Sequence, residues 1–505
     1  MNLSANSIVM LHGWGVDQST WQPFIPELKK HSKLFCIDLP GFGSAPVVDD
    51  YSLDNILQII AAQITQPSWI IGWSLGGMLA IQLAYRYPQK VLGVVSLAAN
   101  AKFVADETYP HAMPVQTSDS FNNSFAANSF ATLKLFSGLL AQGAEDERKF
   151  LKLIRSFMAP EAVNENWLSA LQLLSQLDNR VVLPKIYQPC LHIFADKDAL
   201  VPLQAAAQFR KFNPAHSTEI IKQSAHAMHW CQTVHVLNAI NNFIAEQQYN
   251  RQFKIQVAKQ FSRAVDTYDS ADGIQRESGL LLLNEFAIDI RLSENSLVMD
   301  LGCGTGSFVS DLQSRFNLSK VVGVDISLAM LNRTKQKTSY LVGADADSLP
   351  FTNASIDLIY SNFSLQWCFD LPKLFDELHR VLKPGGQLIF TTLGQDSLQE
   401  LIRAWKAVDA QEHVNPFVDK SVLSHLLAEK FSLSEIGQQK KIAKFNTLAA
   451  LLKSLKAVGA THHVHSSSGL LGKSKFAQLT AAYESHRQDN MLPLTYDVIF
   501  ARATK

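Results

Sequence analysis

Trp69-Ile70-Ile71-Gly72-Trp73-Ser74-Leu75-Gly76-Gly77 decides how the first half of this chain folds. Its apolar start reads as a short buried strand, and Met78-Leu79-Ala80-Ile81-Gln82-Leu83-Ala84 beyond it reads as a helix. Between them lies G-x-S-x-G, a sharp turn that lifts a serine hydroxyl above a parallel sheet and sets it at a helix N-terminus. A Cβ at position 72 or 76 would strike the neighbouring strand or helix, so glycine stands on both sides of Ser74.

Working outward, the partners of such a serine follow in the order acid, then histidine. The strand Leu191-His192-Ile193-Phe194-Ala195 runs into Asp196-Lys197-Asp198-Ala199-Leu200-Val201-Pro202, and Glu219-Ile220-Ile221 leads to Ser224-Ala225-His226. Asp198 is the expected acid, Asp196 the alternative, and His226 the expected base. His229 and His235 fall on the following helix as packing or surface residues, and His12 is a structural part of its turn. In this scheme His226 takes the proton of Ser74, and Asp198 holds the imidazole in the required tautomer. The backbone amides of Trp14 and Leu75 are the expected oxyanion donors; losing one such donor typically costs about 10²–10³ in rate. Upstream, Ser7-Ile8-Val9-Met10-Leu11 and Leu34-Phe35-Cys36-Ile37-Asp38 are further strands. Residues from about 101 to 180 break the strand pattern and read as a helical cap over the serine. Arg148, Lys149, Lys152 and Arg155 of that cap are either a solvated helix face or a docking patch for an acidic partner.

A second strand-then-glycine signal comes some two hundred residues later, as Leu297-Val298-Met299-Asp300-Leu301-Gly302-Cys303-Gly304-Thr305-Gly306. Its glycines let backbone approach a ligand closely, and the helix start beyond offers free amides. A dinucleotide fingerprint needs G-x-G-x-x-G. Here the third glycine comes one position early, which favours S-adenosylmethionine over NAD. Val321-Val322-Gly323-Val324 ends in Asp325, expected on the ribose hydroxyls, and Asp345 is expected to meet the adenine amine. Asp300, Gly302, Gly304, Gly306, Asp325 and Asp345 are thus the cofactor-binding set. Methyl transfer from a sulfonium to a carboxylate needs no general base, so the protein contributes alignment, worth about 7–11 kcal/mol. Arg263, Tyr268, Gln366 and Trp367 are candidates to hold the acceptor.

The bulk numbers agree with two α/β units. A chain of 505 residues exceeds one ordinary core, and 47% hydrophobic with 18% charged residues is a globular balance, not a disordered one. The 45 basic and 45 acidic residues cancel, so no global field recruits nucleic acid or anionic lipid. Five scattered cysteines fit reduced thiols in a cytoplasmic protein, without a disulfide framework or a resident metal. No signal peptide or membrane span is expected. The expected boundaries are a first domain at 1–246, a polar linker at 247–253 and a second domain at 254–505.

With these residues in hand, two family resemblances stand out. Leu11-His12-Gly13-Trp14-Gly15, Gly72 to Gly77, Asp198-Ala199-Leu200-Val201-Pro202 and Ala225-His226-Ala227 resemble the pimeloyl-[acyl-carrier protein] methyl ester esterases of biotin synthesis, which have the α/β-hydrolase fold. Phe261-Ser262-Arg263-Ala264, Asp300 to Gly306, Ser361 to Cys368, Thr391-Thr392-Leu393, Gly459-Ala460-Thr461-His462 and Pro493-Leu494-Thr495-Tyr496 resemble the malonyl-[acyl-carrier protein] O-methyltransferases of the same pathway, with a Rossmann-like class I fold. The resemblance implies a fused enzyme acting on acyl carrier protein: one half caps a malonyl carboxylate as its methyl ester, and the other removes the cap after two rounds of chain elongation. It implies Ser74, Asp198 and His226 as the triad, with Trp14 and Leu75 around the substrate. It also implies that Phe130, Ala131, Thr132, Leu133 and Lys134 of the cap line the acyl chain. The family arginines that dock the carrier have no clear one-to-one match in this cap. The alternative is a generic carboxylesterase or lactonase fused to a small-acid carboxyl methyltransferase.

Overall fold

The apolar strands announced by the sequence assemble into two sheets. The structure, a computed structural model, describes residues 6–30, 32–317, 320–409, 411–460 and 472–505; Thr461 and His462 lie outside them. The chain divides into two compact units, Met1–Gln247 and Gln248–Lys505.

The first unit has six parallel strands, β1 (Asn6–Leu11), β2 (Ser32–Ile37), β3 (Ser68–Trp73), β4 (Val91–Leu97), β5 (Cys190–Ala195) and β6 (Ser217–Ile221), in the order β2-β1-β3-β4-β5-β6. Both faces of the central strands are covered, so β3 and β5 are buried along their whole length and read as continuous apolar runs. The elbow helix Leu75–Arg86 buries all but its last two residues against this sheet. Four helices, Val115–Ala127, Ser129–Ala141, Glu147–Phe157 and Glu165–Gln176, form the insertion between β4 and β5.

The second unit has seven strands, β7 (Leu297–Leu301), β8 (Lys320–Asp325), β9 (Leu341–Gly343), β10 (Ile356–Asn362), β11 (Leu382–Leu393), β12 (Leu433–Phe445) and β13 (Leu492–Thr504). Their order is β12-β13-β11-β10-β7-β8-β9, parallel except that β13 pairs antiparallel with both β11 and β12. Strand order runs outward from β7 through β8 to β9 and then reverses, the crossover from β9 returning to place β10 on the other side of β7, and a ligand crevice forms outside the carboxyl ends of strands at such a switch point.

Residues 247–253, read from the sequence as a polar linker, are helical: they lie within the 32-residue helix Thr233–Ala264. Gln247-Gln248-Tyr249-Asn250-Arg251-Gln252-Phe253 contains neither glycine nor proline, and glutamine and arginine are good helix formers. Their polarity marks a helix surface, not an absence of helix. Among the described residues no helix is long and apolar enough to cross a membrane.

Candidate active sites

In the first unit the three residues expected at the nucleophilic centre are hydrogen-bonded in a chain. The Asp198 carboxylate can only accept, so His226 Nδ1 donates to its two oxygens at 2.8 and 2.9 Å. His226 Nε2 is then the acceptor for the Ser74 hydroxyl, at 3.0 Å. Asp198 is pinned by the amides of Leu200 and Val201, at 2.8 and 3.0 Å from Oδ1. Asp196 does different work: it accepts from the Ser224 amide at 3.0 Å and holds the loop that carries His226. Ser74 has φ 53° and ψ −117°, a conformation that costs a side-chain-bearing residue about 1–3 kcal/mol. Its amide is anchored to the Leu97 carbonyl at 2.8 Å, and the elbow glycines leave no alternative: a Cβ on Gly76 would lie 2.3 Å from the Leu11 carbonyl oxygen.

The loop after β1 passes directly against the nucleophile, since a Cβ on Gly13 would sit 3.2 Å from the Ser74 Cβ. Leu75 is the first residue of its helix, so its amide has no acceptor within the helix. Trp14 is buried among aromatic rings of the cap, with Phe136, Phe125, Phe121 and Trp167 at centroid distances of 4.9, 5.1, 5.7 and 6.0 Å. Its indole N–H donates to the Trp167 carbonyl at 2.8 Å, stitching the catalytic loop to the cap. His12 is a strut: the Leu39 amide donates to Nε2 at 2.9 Å, leaving Nδ1–H to donate to the Gly13 carbonyl at 2.7 Å. His229, also buried, bonds Thr20 through Nε2 at 2.9 Å, and burial with the nearby His226 pushes it down to about 3, so it stays neutral.

The expected chain-lining stretch divides by helical phase. Thr132 and Leu133 are buried, whereas Phe130, Ala131 and Lys134 are on the exposed side of helix Ser129–Ala141. On helix Glu147–Phe157 the buried residues are Phe150 and Ile154, and Arg148, Lys149, Lys152 and Arg155 are exposed. Cys190, His192 and His216 bring donor atoms within 4.8 Å of one another behind β5, a juxtaposition their spacing does not announce. His192 there bonds Ser96 at 2.7 Å and His216 at 3.2 Å, so the group is engaged in the core.

In the second unit a cleft opens at the carboxyl ends of β7 and β8, lined by Gly302, Gly304, Asp325, Asp345, Tyr268 and Trp367 among others. Gly302 and Gly304 have φ of 75° and 55°, and a Cβ on Gly302 would lie 2.3 Å from Ser364 Oγ; Gly306 completes the loop at φ 74°. The Gly304 amide donates to Asp325 Oδ2 at 2.9 Å and the Ser327 amide to Oδ1 at 2.7 Å. Asp325 therefore braces the glycine loop while each of its oxygens keeps a lone pair. Asp300 is buried, its Oδ2 has no partner, and burial together with the Asp325 charge pushes it up to about 8. Two buried carboxylates, one of them orphaned, beside a loop that admits close approach fit a ligand with an amine, ribose hydroxyls and a sulfonium charge.

The acceptor candidates separate. Tyr268 and Trp367 line the cleft. Arg263 is exposed, and Gln366 folds back to donate to the Phe363 carbonyl at 2.8 Å. Asp345 lines the cleft already ion-paired: Lys254 Nζ lies 2.6 Å from Oδ1 and 2.9 Å from Asp347 Oδ2. Sequence reasoning missed Lys254, though a signal existed. It lies three and seven residues before Val257 and Phe261, inside the apolar stripe of its helix, where a lysine needs a partner.

Family models for the alpha/beta hydrolase fold and for a methyltransferase domain match residues 6–231 and 299–390. The malonyl-[acyl-carrier protein] O-methyltransferase of Gallionella capsiferriformans is 35% identical over 280 residues, covering 53% of this chain and 93% of that protein. The biotin biosynthesis bifunctional protein BioHC of Teredinibacter turnerae is 34% identical, over 98% of this chain and 92% of its own. That of Cellvibrio japonicus is 41% identical over 500 residues, 98% of each chain. With both units matched from end to end, this chain belongs to the BioHC family of bifunctional biotin-biosynthesis proteins.

Proposed function

We propose that this enzyme makes and later removes one methyl ester during assembly of the pimeloyl precursor of biotin. The C-terminal unit transfers the methyl of S-adenosylmethionine to the free carboxylate of malonyl-acyl carrier protein. The N-terminal unit hydrolyses pimeloyl-acyl carrier protein methyl ester to pimeloyl-acyl carrier protein and methanol. The ester removes a charge that elongation enzymes would otherwise have to bury unpaired. The observation that carries the reading is the Ser74–His226–Asp198 hydrogen-bond chain in the same polypeptide as a glycine loop flanked by buried carboxylates.

In the esterase unit Ser74 Oγ attacks the ester carbonyl as His226 Nε2 takes its proton, and the Leu75 and Trp14 amides receive the oxyanion. His226 then protonates the departing methoxide oxygen, and methanol leaves. Water repeats the cycle to release the acid and restore Ser74. In the methyltransferase unit the bound cofactor supplies an electrophilic methyl group. Gly302 and Gly304 would let it approach the backbone, Asp300 and Asp325 would hold its amine and ribose, and Tyr268 and Trp367 would wall the acceptor side. No side chain there is asked to move a proton, since the acceptor arrives as a carboxylate.

The test uses both substrates. Methyl-labelled S-adenosylmethionine should label malonyl-carrier protein in the presence of the Ser74→Ala variant. The wild-type chain should release methanol from the pimeloyl-carrier methyl ester. Release that survives Ser74→Ala, or label that goes equally to free small acids, would overturn the assignment in favour of a generic esterase or a small-acid methyltransferase.

A further inference from the structure

Lys254 is a buried cation that the methyl transfer described above does not use. It is 7% exposed and shares a helix face with Val257 and Phe261, and all three line the cofactor cleft. Its ammonium is bracketed by Asp345 Oδ1 at 2.6 Å, Asp347 Oδ2 at 2.9 Å and Cys368 Sγ at 3.7 Å. Burial would pull this lysine down, but Cys368, Asp347 and Asp345 outweigh it and hold it charged. Burying an ion pair is a poor route to stability, because apolar residues of similar volume often pack as well or better. What the pair does supply is a defined direction for a carboxylate. Asp345 belongs to the turn after β9, whose Ala344 amide donates to the Asp325 carbonyl at 3.2 Å. Lys254 thus fixes one carboxylate of the cleft relative to the loop braced by the other. Asp347 Oδ1 is buried with no partner, so two carboxylates face one ammonium and the cluster is an acceptor overall.

We propose that Lys254 is a positioning residue for the adenine end of the cleft, holding Asp345 through Oδ1 in the orientation that accepts from the exocyclic amine of the purine. This rests on the reading of the cleft as an S-adenosylmethionine site with Asp345 at the adenine. Without Lys254, Asp345 and Asp347 repel each other, one takes up a proton, and the carboxylate no longer presents a fixed acceptor. Discrimination at purine C6 then falls, whereas a plain tether between helix and turn would weaken every nucleoside ligand by the same factor.

The probe is a pair of ligands: S-adenosylhomocysteine and S-inosylhomocysteine, in which a carbonyl replaces the 6-amine. Titration calorimetry on the full-length wild type should favour the adenosyl ligand by about 10–100-fold, as for a hydrogen bond to a charged acceptor. Lys254→Met should bring the two within about threefold, and Lys254→Arg should keep most of the preference. Lys254→Gln serves if the Met variant does not fold, with thermal unfolding of the full-length chain reporting on folding. A ratio that Lys254→Met or Lys254→Gln leaves unchanged, including equal weakening of both ligands, overturns the proposal. If the wild type binds neither ligand, the cofactor reading itself fails and the proposal goes with it.

Discussion

The two sites solve opposite problems. In the hydrolase unit the groups of the proposed triad are already joined: Asp198 to His226 to Ser74, with two backbone amides steadying the aspartate. In the methyltransferase unit buried polar atoms around the cleft stand without partners, among them Asp300 Oδ2, Asp347 Oδ1 and Gln366 Oε1. The difference follows from the chemistry. A serine esterase brings its own nucleophile and base and must hold them in register before substrate arrives. A methyltransferase borrows its reactive group, so its site reaches full hydrogen bonding only when ligand supplies the missing donors. Catalysis is stored as alignment in the first case and as unmet binding capacity in the second.

The sharpest way to break this comparison is Ser74→Ala. It should lower methanol release by about 10⁴–10⁶ while cofactor affinity, read by calorimetry, stays within twofold. Cross-talk of tenfold or more would mean the sites are not independent. Next comes chain length. Aromatic rings of the cap, Phe121, Phe125 and Phe136, pack around Trp14 beside the nucleophile, and a pimeloyl chain lying along them would bury more apolar surface than a malonyl one. Four extra methylenes at about 0.8 kcal/mol each give roughly 3 kcal/mol, or about 150-fold in kcat/KM for the pimeloyl over the malonyl methyl ester. Equal values would show that these rings do not select, and would leave the chain cleaving its own first product.

On the other side, Asp325→Ala should raise the Kd for S-adenosylmethionine by about 10–100-fold, the scale of charge-assisted hydrogen bonds, and leave methanol release intact. A subtler sign comes from Asp300, which sits near 8 in the free protein. Burial raises it, so below pH 8 it is largely protonated. A cationic ligand favours the carboxylate and must displace that proton. Affinity should therefore rise with pH through this window and be roughly fivefold weaker at pH 7 than at pH 8. Asp300→Asn should flatten that profile, and a flat wild-type profile would remove Asp300 from the ligand's reach. Smallest of all, Arg148→Glu with Lys152→Glu on the exposed cap helix should raise KM for carrier-bound ester by about threefold, less in high salt, with no change for free dimethyl pimelate. No difference between the two substrates would mark these cations as a solvated face.

How much could be read in advance depends on distance along the chain. The elbow around Ser74 and the loop Gly302–Gly306 were legible because a handful of consecutive residues sets each backbone path. That residues 247–253 are helical was not legible, because polarity alone does not separate an exposed helix from a loop. Strand β12 carries no motif and forms the sheet edge, mostly exposed and with a thin apolar signal, whereas its antiparallel partner β13 is buried along nearly its whole length and is marked only at its start, by Pro493-Leu494-Thr495-Tyr496. The cap stretch 130–134 needed its helical phase, which only the burial of Thr132 and Leu133 in the folded cap displays.

By itself the sequence determined that two chemistries are present and which loops bear them, since a strained serine turn and a glycine cradle are local conformations dictated by neighbouring residues. Only the tertiary structure decided that Asp198 rather than Asp196 meets His226, and that Lys254 closes on Asp345 across 91 positions. The reason is geometric. A hydrogen bond is made or lost within about an ångström, and sheet order and helix packing set that ångström between residues far apart in the chain.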